Sequence, residues 1–164
     1  MNCELQVGPI SGGTLVRLVG RGTMCESPVF RDTVEQLFER GFVVFDASEC
    51  SYLDSTFLGC LIGLKKACGC EGQGRLLVAA SPDTRIKLFC TSSLDRYFDF
   101  VDVLPEATGP IETVDLTSAN RSELGSHIMT CHERLAEMGG REAPAFRAIA
   151  DRLARELGGR VSVD

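Results

Sequence analysis

An acidic residue followed by two hydroxyl residues opens a predicted helix, and this short stretch carries the clearest chemistry in the sequence. Asp54, Ser55 and Thr56 precede an apolar pattern of helical period that runs to about Cys68. The first N–H groups of a helix lack intrahelical partners, and its N-terminus carries partial positive charge, so a phosphate is favoured there. Phosphorylation of Ser55 would add about −2 charge to this surface. The stretch therefore indicates a phosphorylation switch.

The same residues have structural interpretations that need no phosphate. Ser55 could be a simple helix cap, since serine is among the best N-caps. Thr56 is either a second phosphate acceptor or only a helix-start residue. Asp46 ends a buried strand at residues 43–46; it either shapes the site or binds only neighbouring backbone. The local sequence leaves these alternatives open.

Composition and charge exclude several classes of protein. The chain has 164 residues, of which 44% are hydrophobic and 24% charged, as expected of one globular domain with or without an appendage. No apolar run is long enough to span a bilayer, and the N-terminus lacks the features of a signal peptide, so we expect a cytoplasmic protein without direct membrane insertion. A net charge of −6 argues against a nucleic-acid partner.

The cysteines and histidines could suggest a metal site, but their spacing does not favour one. With no signal peptide, the eight cysteines are expected to be reduced, and Cys60, Cys90 and Cys131 lie in apolar stretches where a thiol acts as a small hydrophobe. His127 and Cys131 share one helical face, and Cys68, Cys70 and His132 are further candidate zinc ligands. Because no Cys-x-x-Cys pair is present, we expect no metal and no cofactor.

An enzymatic function finds no support in the sequence. There is no Gly-x-Ser-x-Gly elbow and no Gly-rich phosphate loop, and the two histidines lie in the C-terminal part of the chain. We therefore expect a non-catalytic protein.

The order of strand and helix patterns predicts an α/β fold. Within residues 1–104, strands are expected at 3–7, 14–19, 42–45, 75–80 and 98–103, with helices that begin at Ser27, Ser55 and Ser81. Helices between strands imply parallel crossovers, and the turn between the first two strands adds an antiparallel pair. The prediction is a mixed sheet of four to five strands flanked by helices.

The C-terminal part has a different pattern. Residues 105–116 contain two prolines and a glycine and are predicted to be a linker. Residues 117–164 form two amphipathic helices, the first ended by Gly139 and Gly140, the second by Gly158 and Gly159. Each needs a partner for its apolar face. This helical hairpin either covers a patch of the domain or mediates homodimerisation or partner binding.

Three separated segments within residues 3–103 together resemble a STAS domain, the sulfate-transporter and anti-sigma-factor-antagonist family. They are residues 43–46, residues 54–59 and residues 80–82. The resemblance implies the STAS fold and, for a free-standing domain, an anti-sigma factor antagonist. In such proteins the unphosphorylated surface binds a serine kinase-type anti-sigma factor and so frees the sigma factor, and phosphorylation by that kinase breaks the complex.

Residue by residue, the resemblance makes Ser55 the phosphoacceptor, with Asp54 and Asp46 as acidic neighbours that shape the site together with Thr56. Gly59 matches the second glycine of the family's Asp-Ser-Ser-Gly-Leu-Gly pattern, whereas Phe57 stands where a glycine is usual. Phe57, Leu58 and Gly59 are then expected to contact the partner. The alternative is a STAS-like accessory subunit of a membrane transport complex, on a permease or an ABC-type lipid transporter, that is never phosphorylated.

Overall fold

The computed structural model describes residues 3–68, 75–90, 94–116 and 121–161. Their strands are β1 (Glu4–Ile10), β2 (Gly13–Gly22), β3 (Phe42–Asp46), β4 (Cys50–Leu53), β5 (Leu76–Ala79), β6 (Phe100–Val101) and β7 (Glu112–Val114). Their helices are α1 (Ser27–Leu37), α2 (Ser55–Cys68), α3 (Pro82–Phe89), α4 (Arg121–Glu137) and α5 (Ala143–Val161), and a 3-10 turn at Phe38–Arg40 follows α1.

The sheet is mixed, as predicted. Its strand order in the described residues is β6-β5-β3-β2-β1-β7, and β4 pairs with β2 outside this path. β1 is antiparallel to β2 and to β7, whereas the pairs β2–β3, β3–β5 and β5–β6 are parallel. The helices α1, α2 and α3 connect these parallel strands, which confirms the crossover argument.

The sheet has more strands than the four to five predicted. Seven are present among the described residues, and the additional ones, β4 and β7, have only four and three residues. Strands this short contain too few alternations for a period of two to be recognised. β7 lies within residues 105–116, expected to be a linker, and extends the sheet by pairing with β1.

The start of α1 departs from the expected capping pattern. Ser27 is the first helical residue of α1 rather than its cap, and Glu26 precedes it. The Glu26 carboxylate accepts a hydrogen bond from the Thr23 N–H at 2.8 Å. This bond orders the turn before α1, so the helix follows Glu26 and already includes Ser27. By contrast, Ser81 caps α3 as predicted, since its hydroxyl accepts from the Thr84 N–H at 3.2 Å.

The main core lies between the sheet and the helices α1 and α2. The rings of Phe30 from α1, Phe45 from β3 and Phe57 from α2 meet there, with centroids 4.7 Å apart for Phe30 and Phe57 and 5.1 Å apart for Phe30 and Phe45. All three side chains are fully buried. This aromatic cluster ties the start of α2 to the sheet and so fixes the position of Ser55.

The C-terminal hairpin packs on the domain. α4 contacts α2, and α5 packs against α4. Cys131 and Leu135 on the inner face of α4 are buried and join the main core. Gly139 and Gly140, with φ of 75° and 91°, follow the end of α4 as predicted. α5, however, continues through Gly158 and Gly159 to Val161, because a glycine by itself permits a helix end without imposing one.

Candidate functional site

The N-terminus of α2 is capped by Asp54, which leaves Ser55 free of that role. One carboxylate oxygen of Asp54, Oδ1, accepts the N–H of Phe57 at 2.8 Å, and the other accepts the N–H of Met24 at 2.8 Å. The Asp54 carbonyl accepts the first helical hydrogen bond, from Leu58 N at 3.0 Å. Asp54 is therefore the N-cap, and Ser55 is the first residue inside the helix.

The hydroxyl of Ser55 is hydrogen-bonded to a histidine from the C-terminal hairpin. Its Oγ lies 3.0 Å from Nε2 of His132 on α4. The other ring nitrogen, Nδ1, lies 2.8 Å from the carbonyl oxygen of Ile128, which can only accept, so Nδ1 carries the proton. In the neutral ring Nε2 is therefore the acceptor, and the Ser55 hydroxyl donates to it.

His132 is held in place by packing as well as by its hydrogen bonds. It is buried, whereas Ser55 remains partly exposed. The ring of Phe146, from α5, lies 5.9 Å from the imidazole. Sequence reasoning missed this contact because 77 residues separate the two partners. The only local signal was a histidine next to Cys131, on the face that the apolar stripe turns inward.

A second serine–histidine pair lies one helix away. Ser27, the fully buried first residue of α1, has its Oγ 2.7 Å from Nε2 of His127. Arg31 donates to Nδ1 of the same ring at 2.9 Å, so Nε2 carries the proton and donates to Ser27. Burial, reinforced by the nearby charges of Arg31 and Arg134, lowers the pKa of His127 to about 4. His127 is therefore neutral at physiological pH.

Asp46 lies at the end of β3, fully buried and paired with a cation. Its Oδ2 accepts from Nε of Arg17 at 2.6 Å, and its Oδ1 accepts the N–H of Ser48 at 2.9 Å. Glu49 approaches the same guanidinium at 3.7 Å. Asp46 and Asp54 thus have different partners. The charge of Asp46 is balanced by the guanidinium of Arg17. The carboxylate of Asp54, next to Ser55 in the chain, instead accepts from two backbone N–H groups.

The remaining predicted site residues are buried within this chain. Thr56, Phe57 and Leu58 are each at most 5% exposed, and Gly59 is also buried. Phe57 turns towards the aromatic cluster because the helical period places it on the sheet-facing side of α2. Gly59 faces α4. In this arrangement none of the four presents a surface to another molecule.

Exposed apolar side chains do flank the start of α2, on elements that the sequence did not single out. Met24 is 43% exposed, and its own N–H is bound to Asp54. Tyr52 is 42% exposed on β4, under the guanidinium of Arg21 at 4.3 Å. Large exposed apolar groups beside a functional segment are typical of protein-binding surfaces. A short strand and a loop gave no periodic signal by which to find them.

The described residues contain no group of three or more His, Cys, Asp and Glu that could hold a metal ion; Cys70, one of the candidate ligands, lies outside them. Both nitrogens of His127 are engaged by Ser27 and Arg31. Cys60 and Cys131 are buried, and burial raises the pKa of the Cys131 thiol to about 12, so each is a core residue. Cys90 is only partly buried.

The sequence argued against a nucleophilic serine partly because both histidines lie far from Ser55 in the chain. The contact between His132 and Ser55 weakens that argument. Hydroxyl, imidazole and carbonyl follow one another at 3.0 and 2.8 Å, an order that can polarise a serine O–H. Two cavities between α1 and α4 are lined by other residues, including Arg31, Asp32 and His127. The hydrogen bonds of His132 hold the Ser55 hydroxyl in place.

None of the helices in the described part of the chain combines the length and apolar character needed to cross a membrane.

Comparison with known proteins places this geometry in a family. Residues 6–107 match the STAS domain model. The fold is similar to that of an anti-sigma factor antagonist from Mycobacterium paratuberculosis, with a TM-score of 0.51 and 18% identity over 63% of this chain and 88% of that one. A second structure, the anti-sigma factor antagonist SpoIIAA in its unphosphorylated form, gives a TM-score of 0.45 and 15% identity over 61% of this chain and 89% of its own. No curated protein matches. At 18% identity the likeness to the first of these structures concerns the fold alone. The family match spans more than half of the sequence, and the chain belongs to the STAS domain family.

Proposed function

We propose that this protein is an anti-sigma factor antagonist whose binding to a serine kinase-type anti-sigma factor is controlled by phosphorylation of Ser55. The observation that carries the proposal is the position of the Ser55 hydroxyl. It lies in the first turn of the 14-residue helix α2 and takes no part in capping, because Asp54 performs that role. The hydroxyl can therefore be modified without loss of the helix cap.

The charges around Ser55 support a switch. A phosphate on Ser55 would be favoured within the domain by the partial positive charge of the helix N-terminus. It would also place about −2 charge beside Asp54, on the surface flanked by the exposed side chains of Met24 and Tyr52. A partner that covers these residues would have to desolvate that charge. A coupling of about 1–3 kcal/mol is enough for regulation, and the cost of burying an uncompensated charge exceeds it.

The test is capture of binding proteins from native lysate with the wild-type chain, Ser55→Ala and Ser55→Glu. We expect a kinase-like protein to be retained by the wild type and by Ser55→Ala, and to be lost with Ser55→Glu, which introduces the charge. Ser81→Glu is the matched control, since Ser81 is an exposed serine at the start of α3. Retention by Ser55→Glu at the wild-type level contradicts the switch.

The same experiment addresses the alternative function. Transport subunits of a membrane complex that are captured equally by the wild type and both Ser55 variants would identify an accessory subunit without phosphorylation. Partial burial of Ser55 under α4 is the feature that favours this second candidate, because a hydroxyl engaged by His132 is not freely presented to a kinase.

A further inference from the structure

We propose that the hairpin of α4 and α5 is a cis-acting cover, which occupies the α2 surface next to Ser55 and must move away before a partner can engage it. This inference rests on the proposed function, since it assigns the regulation of the same serine. Four features of the described residues carry it: the close packing of α4 on α2, the polar links to Ser55 and Ser27, the position of the hairpin outside the family match, and the mixture of polar and apolar groups in the contact.

The packing of α4 on α2 depends on the absence of a side chain at Gly59. A Cβ at Gly59 would lie 2.7 Å from the carbonyl carbon of Cys131, and closer still to its oxygen. The α4 backbone therefore rests directly on the α2 backbone at this point. Gly63, one turn later, faces the guanidinium of Arg134 rather than backbone. The missing side chain at Gly59 thus allows α4 to pack closely on α2.

Polar side chains link the cover to the domain. His132 accepts from the Ser55 hydroxyl at 3.0 Å, and His127 donates to the Ser27 hydroxyl at 2.7 Å. Towards the other end of the contact, Lys66 lies 3.3 Å from Glu137. Each histidine of α4 therefore binds the first residue of a domain helix, and one of these residues is the proposed phosphoacceptor.

The hairpin is an addition to the family domain. The STAS match ends at residue 107, whereas α4 begins at Arg121. The domain that carries Ser55 is thus delimited without α4, and in this chain its helix α2 is covered by a segment from outside the match. Covering Gly59 and engaging Ser55 places the segment on two residues of the family's own motif.

The contact between the hairpin and the domain resembles an interface that can open. Interfaces between separable units are more polar than domain cores, and this one combines the buried Cys131 and Leu135 with two serine–histidine pairs and an ion pair. When the hairpin moves away, each serine–histidine hydrogen bond would be replaced by hydrogen bonds from both side chains to water. The cover can therefore compete with a partner that binds the same face of α2.

The experiment measures opening through the chain's own cysteines. Iodoacetamide alkylation of the full-length protein at pH 8 is followed by peptide mass spectrometry. Cys131 and Cys60, 0% and 1% exposed beneath the contact, report the cover; Cys50, 6% exposed beside β2, reports the domain core, and exposed Cys25 standardises the reagent. Gly59→Ala should raise the alkylation rate of Cys131 roughly tenfold or more, because the new methyl group displaces α4. The rate at Cys50 should be unchanged.

Gly63→Ala is the matched control. It makes the same substitution on the same helix, but its methyl group meets only the movable end of the Arg134 side chain, so the Cys131 rate should stay within about twofold of the wild type. His132→Ala is the second variant, since it removes the link to Ser55 without a clash and should also accelerate Cys131. Equal alkylation of Cys131 and Cys50 in both Gly59→Ala and His132→Ala would show one cooperative unit and overturn the cover.

Failure of the cover and failure of the proposed function give different results. Selective opening of Cys131 in Gly59→Ala and His132→Ala, with stronger capture of the kinase-like protein by His132→Ala than by the wild type, supports the cover. Selective opening with unchanged capture overturns competition between cover and partner. Slow alkylation of Cys131 in every variant overturns the cover even when Ser55→Glu abolishes capture, which leaves the switch intact.

Discussion

At the scale of single residues, Asp54 and Ser55 have different roles in the site: Asp54 caps α2, and Ser55 binds His132. Both are residue types that cap helices, yet only Asp54 does so, through Phe57 N and Met24 N. The Ser55 hydroxyl is left to bind a side chain, and it binds the one histidine that α4 brings to it. The site is therefore formed jointly by the family domain and the hairpin.

A double-mutant cycle measures the bond between Ser55 and His132. Ser55→Ala and His132→Ala should each lower the free energy of unfolding, and the double variant should lose about 1 kcal/mol less than their sum, because the bond can be removed only once. Urea denaturation supplies the free energies. The control cycle pairs His132→Ala with Ser81→Ala, whose side chains share no partner; its effects should add. A Ser55–His132 cycle that is equally additive would contradict the hydrogen bond.

Phe57 shows how one substitution changes the role of a position. In the family pattern that position is a glycine, and a large ring there could have been exposed as a partner contact. Here its ring completes the cluster with Phe30 and Phe45 and is fully buried. A substitution at Phe57 would therefore act on the stability of the domain before it acted on any partner.

At the scale of elements, α2 is the helix on which the site depends, and its start is fixed by one carboxylate. Asp54→Ala removes the acceptor of two backbone N–H groups. We expect it to cost about 2 kcal/mol of unfolding free energy, the upper end for a helix cap. Ser81→Ala, which removes the acceptor of a single N–H at the start of α3, should cost about 1 kcal/mol. Chemical denaturation compares the two, and equal losses would contradict the double role of Asp54.

The contact between α2 and α4 is also decided at the scale of elements. Two helices can approach with their backbones in contact only where a side chain is missing, and Gly59 supplies that position. Gly59, one helical turn after Ser55, is thus the residue that lets the hairpin pack on α2.

At the scale of the whole molecule, attachment of the hairpin should depend on pH through His127. Its pKa is lowered from 6.5 to about 4 by burial and by Arg31 and Arg134, with Asp32 acting in the opposite direction. As the pH falls from 6.5 towards 4, the unfolded chain gains a proton at this residue before the folded chain does. Stability should therefore fall with pH over this window.

The expected contribution of His127 is about 2 kcal/mol, less than the full shift implies because solvent screens part of the interaction. Thermal or urea unfolding at pH 4 to 7 measures it. His127→Gln can still donate to Ser27 and accept from Arg31 but does not titrate, so the difference between wild type and variant isolates this residue from the carboxylates. Parallel stability profiles for the two proteins would contradict the buried, neutral histidine.

The sequence by itself determined the order of the five strands β1, β2, β3, β5 and β6 and of the helices, the parallel crossovers, and the place of Ser55 at the start of a helix. These features depend on local periodicity, on capping residues and on chain connectivity, and all three can be identified from residues close together in the sequence. The STAS resemblance followed from three segments of this kind. The inward stripe on α4 likewise predicted that the hairpin would need something to pack against.

Only the tertiary structure decided which surface the hairpin covers, which acidic residue caps α2, and where Phe57 turns. Each of these depends on residues far apart in the chain: Ser55 and His132, Asp54 and Met24, Phe57 and Phe30. An amphipathic helix specifies that it must be buried without specifying against what, because the hydrophobic effect is non-directional. The choice is made by shape, at the bare backbone of Gly59, and by the two serine hydroxyls that the histidines of α4 can reach.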